Sequence, residues 1–385
     1  MVILFSAICF RSIKHYGSEL PEHVPVDIQA SALLRKPLNR FAADAEINYT
    51  VNGAQHEGGT EVGHAADGLL YGFNPAGYDS DLPGERRYSE MQSANQGMFT
   101  TVLGSYPLSY NELGRDAIVR SVSDQIDAGI QLVSDGQTRY DMIGYFATSI
   151  EGYSYKTRSC INGKVGKGSP EMFLEDLEVA RGMAHRIKGI ITGPVTLVFS
   201  SEIRGYYRGY RDEAVYLDTA EALLGIAHAL EENGVEWIQI DEPYLSVGAP
   251  MGIARKAVES IALNLKVPVA LHVCGRVTKI FKELLKWEGV TMLSHAFMGD
   301  DNTEILSSEE LLASDKMLGL GCINTKSTKV EEVEDVEKLI RMAVAHIPRE
   351  RIGIHPDCGL RVLPREVAFE KMKRMVIAAE RVLQG

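Results

Sequence analysis

Val267-Pro268-Val269-Ala270-Leu271-His272-Val273-Cys274-Gly275-Arg276 (residues 267–276) is a short apolar run that ends in a histidine, a cysteine and a turn glycine. Its valines and leucine suit a buried strand better than a helix. Side chains alternate along a strand, so His272 and Cys274, two apart, face one point where the turn begins. That is half of a tetrahedral zinc site. Alone, His-x-Cys also describes a core histidine beside a buried thiol. A second run, Arg351 to His355, is followed by Pro356-Asp357-Cys358-Gly359, and Cys358 adds a third soft donor at a second strand end. The two stretches together predict that His272, Cys274 and Cys358 bind Zn2+ and leave one position open.

Working outward, the same unit recurs. Strands are expected at Phe99–Leu103, Ile130–Val133, Lys188–Thr192, Trp237–Ile240, Val267–Val273, Val290–Phe297, Met317–Ile323 and Arg351–His355. Amphipathic stretches alternate with them, at Gly114–Ala128, Ser169–Arg181, Glu213–Asn233, Ile253–Leu265, Val277–Trp287, Thr303–Ser314, Val330–His346 and Arg365–Gln384. Eight strand–helix units in about 285 residues predict an α/β protein of the (β/α)8 TIM-barrel class. No Gly-x-Gly-x-x-Gly follows the first strand, which argues against a dinucleotide-binding, doubly wound sheet.

In such barrels the chemistry lies on the face where the strands end. Several polar side chains fall there: Ser105 after the first strand, Asp135 and Gln137 after the second, Asp241 and Glu242 after the fourth. Carboxylates at a barrel mouth can hold a substrate ammonium group, and a serine hydroxyl can meet a carboxylate. These five residues are therefore the expected substrate contacts. A helix N-cap is the competing account of Asp241-Glu242.

The chain has 385 residues, 45% apolar and 24% charged, with a net charge of -12. That balance argues against a nucleic-acid partner, which requires clustered Lys and Arg. No apolar run approaches the roughly 18 residues of a membrane span. Five unevenly spaced cysteines do not suggest a disulfide framework and fit a reducing, cytoplasmic setting. Residues 1–97 lack regular periodicity and are expected to be a poorly structured, non-catalytic extension, with Met91 or Met98 as a possible internal start. Residues 98–385 form the expected catalytic barrel.

A divalent metal held by two thiolates and an imidazole favours the deprotonated form of a thiol brought to its open position. Two sulfur donors also weaken its Lewis acidity, which suits thiol alkylation better than hydrolysis, although ligand type alone leaves water activation open. The motifs VLGSYP (102–107), DGQTRYDM (135–142), ITGPVTL (191–197), IQIDEP (238–243), LHVCG (271–275) and IHPDCGL (354–360), in that order, resemble the catalytic half of the cobalamin-independent methionine synthases, in particular their short archaeal-type form.

The resemblance spans about Met98 to Gly385 and implies a zinc-dependent S-methyltransferase that makes methionine from homocysteine. By position it makes His272, Cys274 and Cys358 the zinc ligands, Asp241 the contact to the homocysteine amino group and Ser105 the contact to its carboxylate. Two departures stand out. The family's fourth ligand, a glutamate near the end of strand six, aligns with Ala296; if position 296 faces inward, His295 must face away. The histidine that folate-using members carry after strand seven aligns with Asn324. Those members also have a second, N-terminal barrel, for which residues 1–97 are too short. The expected donor is therefore a methyl-corrinoid, free or on a partner protein, rather than methyltetrahydrofolate. Another thiol, such as coenzyme M, is the alternative substrate.

Overall fold

The computed structural model describes residues 97–107 and 113–385. Its strands are β1 (Phe99–Thr100), β2 (Tyr153–Tyr155), β3 (Ser159–Ile161), β4 (Lys188–Thr192) and β5 (Ser201–Ile203), followed by β6 (Trp237–Asp241), β7 (Val269–His272), β8 (Val290–Ala296), β9 (Met317–Gly321) and β10 (Ile352–His355). Seven of them form one parallel sheet in the order β1-β10-β9-β8-β7-β6-β4. Its two edges are joined by a short eighth member: Leu132 bridges Thr101 and Val133 bridges Ile187, both in parallel. The expected ring of eight parallel strands is therefore present. The expectation for an extension over 1–97 lies, apart from Gly97, outside the described residues.

Helices cover the outside of the ring. The helix Glu213–Glu232 starts at Asp212, whose side chain accepts from Ala214 N, and buries Val215, Leu223, Ile226 and Leu230 on one face. Arg365–Gln384 and Val333–Val344 likewise bury Met372 and Met375, and Leu339 and Ile340. These faces meet the outward side chains of the strands, such as Ile238, Ile240, Leu271 and Leu293, in the main core. Two expected helices are shorter than their periodicity suggests. Val277–Trp287 is α-helical only over Phe281–Leu284. Thr303–Ser314 divides into a 3-10 turn, Thr303–Ser307, and a helix, Glu309–Ala313, because the Ser308 side chain accepts from Leu311 N and starts a new helix there. The long excursion between the second and third barrel strands carries β2 and β3, which form with β5, beyond β4, a small sheet that alternation did not reveal.

The ring's interior is layered. Leu132, Trp237, Ala270 and Met292, with Phe99 and Met317 against them, form an apolar floor. Above it come polar side chains: Lys188, Gln239, Ser294 and His355, all 3% exposed or less. Asp241 and His272, next to each other in register, end their strands at the mouth.

The loop after β9 is held by a buried ammonium. Lys371 Nζ, on the last helix, contacts both Glu331 oxygens at 2.8 and 2.9 Å and donates to Lys329 O at 2.5 Å and Asn324 O at 3.1 Å. The Lys371 side chain is 0% exposed. Glu331→Ala would strand this charge and is expected to cost about 3–5 kcal/mol, read as a lower denaturation midpoint.

Candidate metal and substrate site

Two strand ends build the centre. His272 closes β7, Cys274 follows two residues later, and Cys358 lies three residues after β10. Their ligand atoms all lie within 4.8 Å of one another, the one such cluster of three among the described residues. Donors in a tetrahedral zinc site sit about 3.8 Å apart, given Zn–S distances of about 2.3 Å, so one ion fits with a small inward shift. The imidazole is already oriented. His272 Nδ1 faces Ser294 O at 3.1 Å, while Nε2 is buried without a partner. A carbonyl on one ring nitrogen and a free second nitrogen is the arrangement of a metal-binding histidine. Contact with the Cys274 thiol and the His272 ring pulls the Cys358 thiol well below its ordinary value, and the same contact pushes Cys274 well above. The four described cysteines, Cys160, Cys274, Cys322 and Cys358, are all free thiols.

Ala296 is the last residue of β8, 1% exposed, and offers no donor. His295 points the other way, as alternation requires: its Nδ1 faces Val273 O at 3.0 Å and its ring packs edge-on against Phe281.

The expected substrate contacts separate into two groups. Asp241 stands beside His272, and its Oδ1 accepts from Gln239 Nε2 at 2.6 Å. Burial pushes the Asp241 carboxyl up to about 6. Ser105 O accepts from Leu360 N at 2.7 Å, and a Cβ on Gly359 would collide with Ser105 Oγ, so this serine abuts the segment after Cys358. Asp135, half-buried and pushed up to about 6 by burial, accepts from Gln137 N at 3.1 Å. Gln137 is buried at the same strand end.

Glu242 is not brought to the thiol cluster. Its carboxylate accepts from Val195 N, Thr196 N and Thr196 Oγ1 at 2.8, 2.8 and 2.7 Å, capping the helix Pro194–Phe199. Gly193 must be glycine because a Cβ there would run into the Glu242 carboxyl, and Pro194 has no N–H to leave unpaired. The sequence Gly-Pro-Val-Thr is thus the receptor for a carboxylate one strand away. An N-cap account of the acidic pair holds for Glu242, on a different helix from the one that follows it.

Residues that the sequence reading missed support the site from behind. Lys188 Nζ donates to Gln239 Oε1 at 2.6 Å and to Val102 O, and Gln239 passes the contact on to Asp241. Burial lowers Lys188 to about 7. Each is a polar residue inside a mainly apolar strand, and Gln239 shares a face with Asp241, a signal that alternation could have given. Asp357, next to Cys358, accepts from Phe297 N, Met298 N and Gly299 N at 3.0, 3.1 and 2.5 Å, tying β10's end to β8's. Burial pushes Asp357 up to about 7 against the pull of these amides.

Fold and site together define an α/β-barrel enzyme with a thiol-and-imidazole centre at its mouth. The family profile described as "Cobalamin-independent synthase, Catalytic domain" matches residues 89–381. The methionine synthase of Methanothermobacter thermautotrophicus is 37% identical over 310 residues, 73% of this chain and 99% of that protein. That of Methanocaldococcus jannaschii is 38% identical over 316 residues, 74% of this chain and 99% of that protein. The chain belongs to the cobalamin-independent methionine synthase family, whose members are methyltransferases. A solved B12-independent methionine synthase from Shewanella sp. W3-18-1, in complex with selenomethionine, shares the fold with a TM-score of 0.66 at 23% identity, covering 74% of this chain and 97% of that one. No helix among the described residues is long and apolar enough to cross a membrane.

The Asp357 clamp can be tested without metal. Asp357→Ala removes the acceptor for three amides, and exchange of the Phe297, Met298 and Gly299 N–H groups is expected to quicken about 10–100-fold, read by hydrogen-exchange NMR or mass spectrometry.

Proposed function

We propose that the chain transfers a methyl group to the sulfur of homocysteine, forming methionine, with Zn2+ held by His272 Nε2, Cys274 Sγ and Cys358 Sγ. The observation that carries this is the buried His272 Nε2, unpartnered and grouped with two sulfurs. Zinc, when bound, favours the thiolate form of a substrate thiol at neutral pH. The residues supply the rest. Asp241, held by Gln239, takes the substrate ammonium, and Ser105, beside Gly359, stands on the carboxylate side. Asp135 and Gln137 line the second strand end of the same mouth. In the transfer a carbon–sulfur bond forms, the methyl–donor bond breaks with its electron pair staying on the donor, and the thiol proton is released.

A methyl-corrinoid, free or on a partner protein, is the proposed donor. Asn324, aligned with the histidine of folate-using relatives, is used by its own loop: Oδ1 accepts from Lys326 N at 2.8 Å and its N donates to Glu331 at 3.0 Å. A reducing, cytoplasmic setting would keep the thiols available. The absent donor at Ala296 favours a second reading, an alkyltransferase acting on coenzyme M. Asp241 weighs against it, because that thiol has no ammonium for a buried carboxylate to meet.

Zinc-edge X-ray absorption with and without homocysteine tests the proposal. A new sulfur ligand is expected on addition, and an unchanged first shell would overturn it. Asp241→Asn should weaken homocysteine binding about 10–100-fold and leave coenzyme M unaffected. Alkylation of coenzyme M with no turnover of homocysteine would transfer the assignment to the second reading.

A further inference from the structure

The loops after the first, second and eighth barrel strands meet beside the thiol cluster, and they hold hydrogen-bond donors that the site described so far does not use. The Leu360–Ser105 bond and the tight Gly359–Ser105 contact press the segment after Cys358 against the first strand's end. A Cβ on Gly104 would lie 3.0 Å from Gln137 Oε1, so the second loop closes on the same place. Arg361 crosses this junction, and one terminal nitrogen of its guanidinium donates to Gln137 O.

Three polar atoms here are buried and unpartnered: Arg361 Nε, Gln137 Nε2 and Thr138 Oγ1. Gln137 is 4% exposed and Thr138 5%. Gln137 also holds a φ of 47°, the one positive φ at a non-glycine among the described residues, a conformation the surrounding structure must enforce. Asp135 and Asp141 exert charge on Arg361, but neither forms an ion pair with it. Buried donors left unmade are costly and rare, and a guanidinium fork matches a carboxylate.

We propose that Arg361, with the Gln137 side-chain amide, binds the α-carboxylate of the thiol substrate; this rests on the reading that the thiol is homocysteine. The substrate would then be held at three points: its sulfur at the cluster, its ammonium at Asp241, and its carboxylate where the first, second and eighth strands end. A thiol lacking the carboxylate loses only the third.

Calorimetric titration of the zinc-loaded protein with homocysteine and with 3-aminopropane-1-thiol, the same molecule without its carboxylate, tests this. Arg361→Gln should weaken homocysteine binding about 10–100-fold and change binding of the other thiol by less than about twofold. Arg361→Lys, which keeps the charge but not the fork, should fall between and carries the test if Arg361→Gln does not fold. Equal weakening of both ligands, or no weakening of homocysteine, overturns the inference and leaves the proposed function standing. Wild-type protein that does not bind homocysteine at all overturns both.

Discussion

Two residues close the barrel, and the site depends on that closure. Leu132 N donates to Thr100 O at 3.0 Å and Val133 N to Arg186 O at 3.1 Å, while Lys188 N returns to Val133 O at 2.9 Å. Side chains thicken this thin strand: Thr101 Oγ1 donates to Leu132 O at 2.7 Å, and Thr100 N to Gln131 Oε1 at 2.9 Å. His272 and Cys358 come from strands separated by two others, β8 and β9. On an open, gently twisted sheet those ends would diverge. Only the curvature of a closed ring turns them toward a common centre.

Closure also creates an interior that must be filled, and the filling explains how Asp241 is aimed. The floor is apolar and needs nothing further. The next layer is polar and buried, and its members are partnered unequally: Ser294 Oγ and His355 Nε2 have no partner, whereas Lys188 and Gln239 do. Lys188 and Gln239 partner each other, and the two N–H bonds of the Gln239 amide go to Asp241 and to Leu103 O at 3.1 Å. The carboxylate at the mouth is thereby fixed by a chain that starts at the bottom of β4. The cost is visible in Lys188, whose burial disfavours its charged form.

The ring was legible because its strands are short, apolar and regularly spaced, and because a parallel barrel strand carries its reactive residue at its end. His272, Cys274 and Cys358 followed from period two and from turn position alone. The weaker predictions fail for local reasons. Apolar periodicity over 277–287 and 303–314 reports burial, not hydrogen bonding, and Ser308 interrupts the second stretch without disturbing its hydrophobic face. Glu242 was legible as a carboxylate at a strand end, but not in its direction: its partner, the N-terminus of Pro194–Phe199, lies 46 to 47 residues away in sequence. Arg361 and Asp357 were hidden for the same reason, since their roles rest on backbone groups of distant loops.

The missing carboxylate at Ala296 has a structural counterpart. In this chain the segment just beyond Ala296 is bound to Asp357, so Cys358 is held in place by backbone amides of β8's loop rather than by a side chain at position 296. Asp357 cannot also serve as a metal donor without releasing three amides, which its burial makes costly. Asp241 is similarly engaged through Gln239. His295 faces the helices. Among the described residues no fourth acid or imidazole joins the cluster of His272, Cys274 and Cys358; His355 Nε2 is buried without a partner but lies outside it. Under the proposed function the fourth donor is the substrate thiol, so the charge of the site changes when that thiolate arrives.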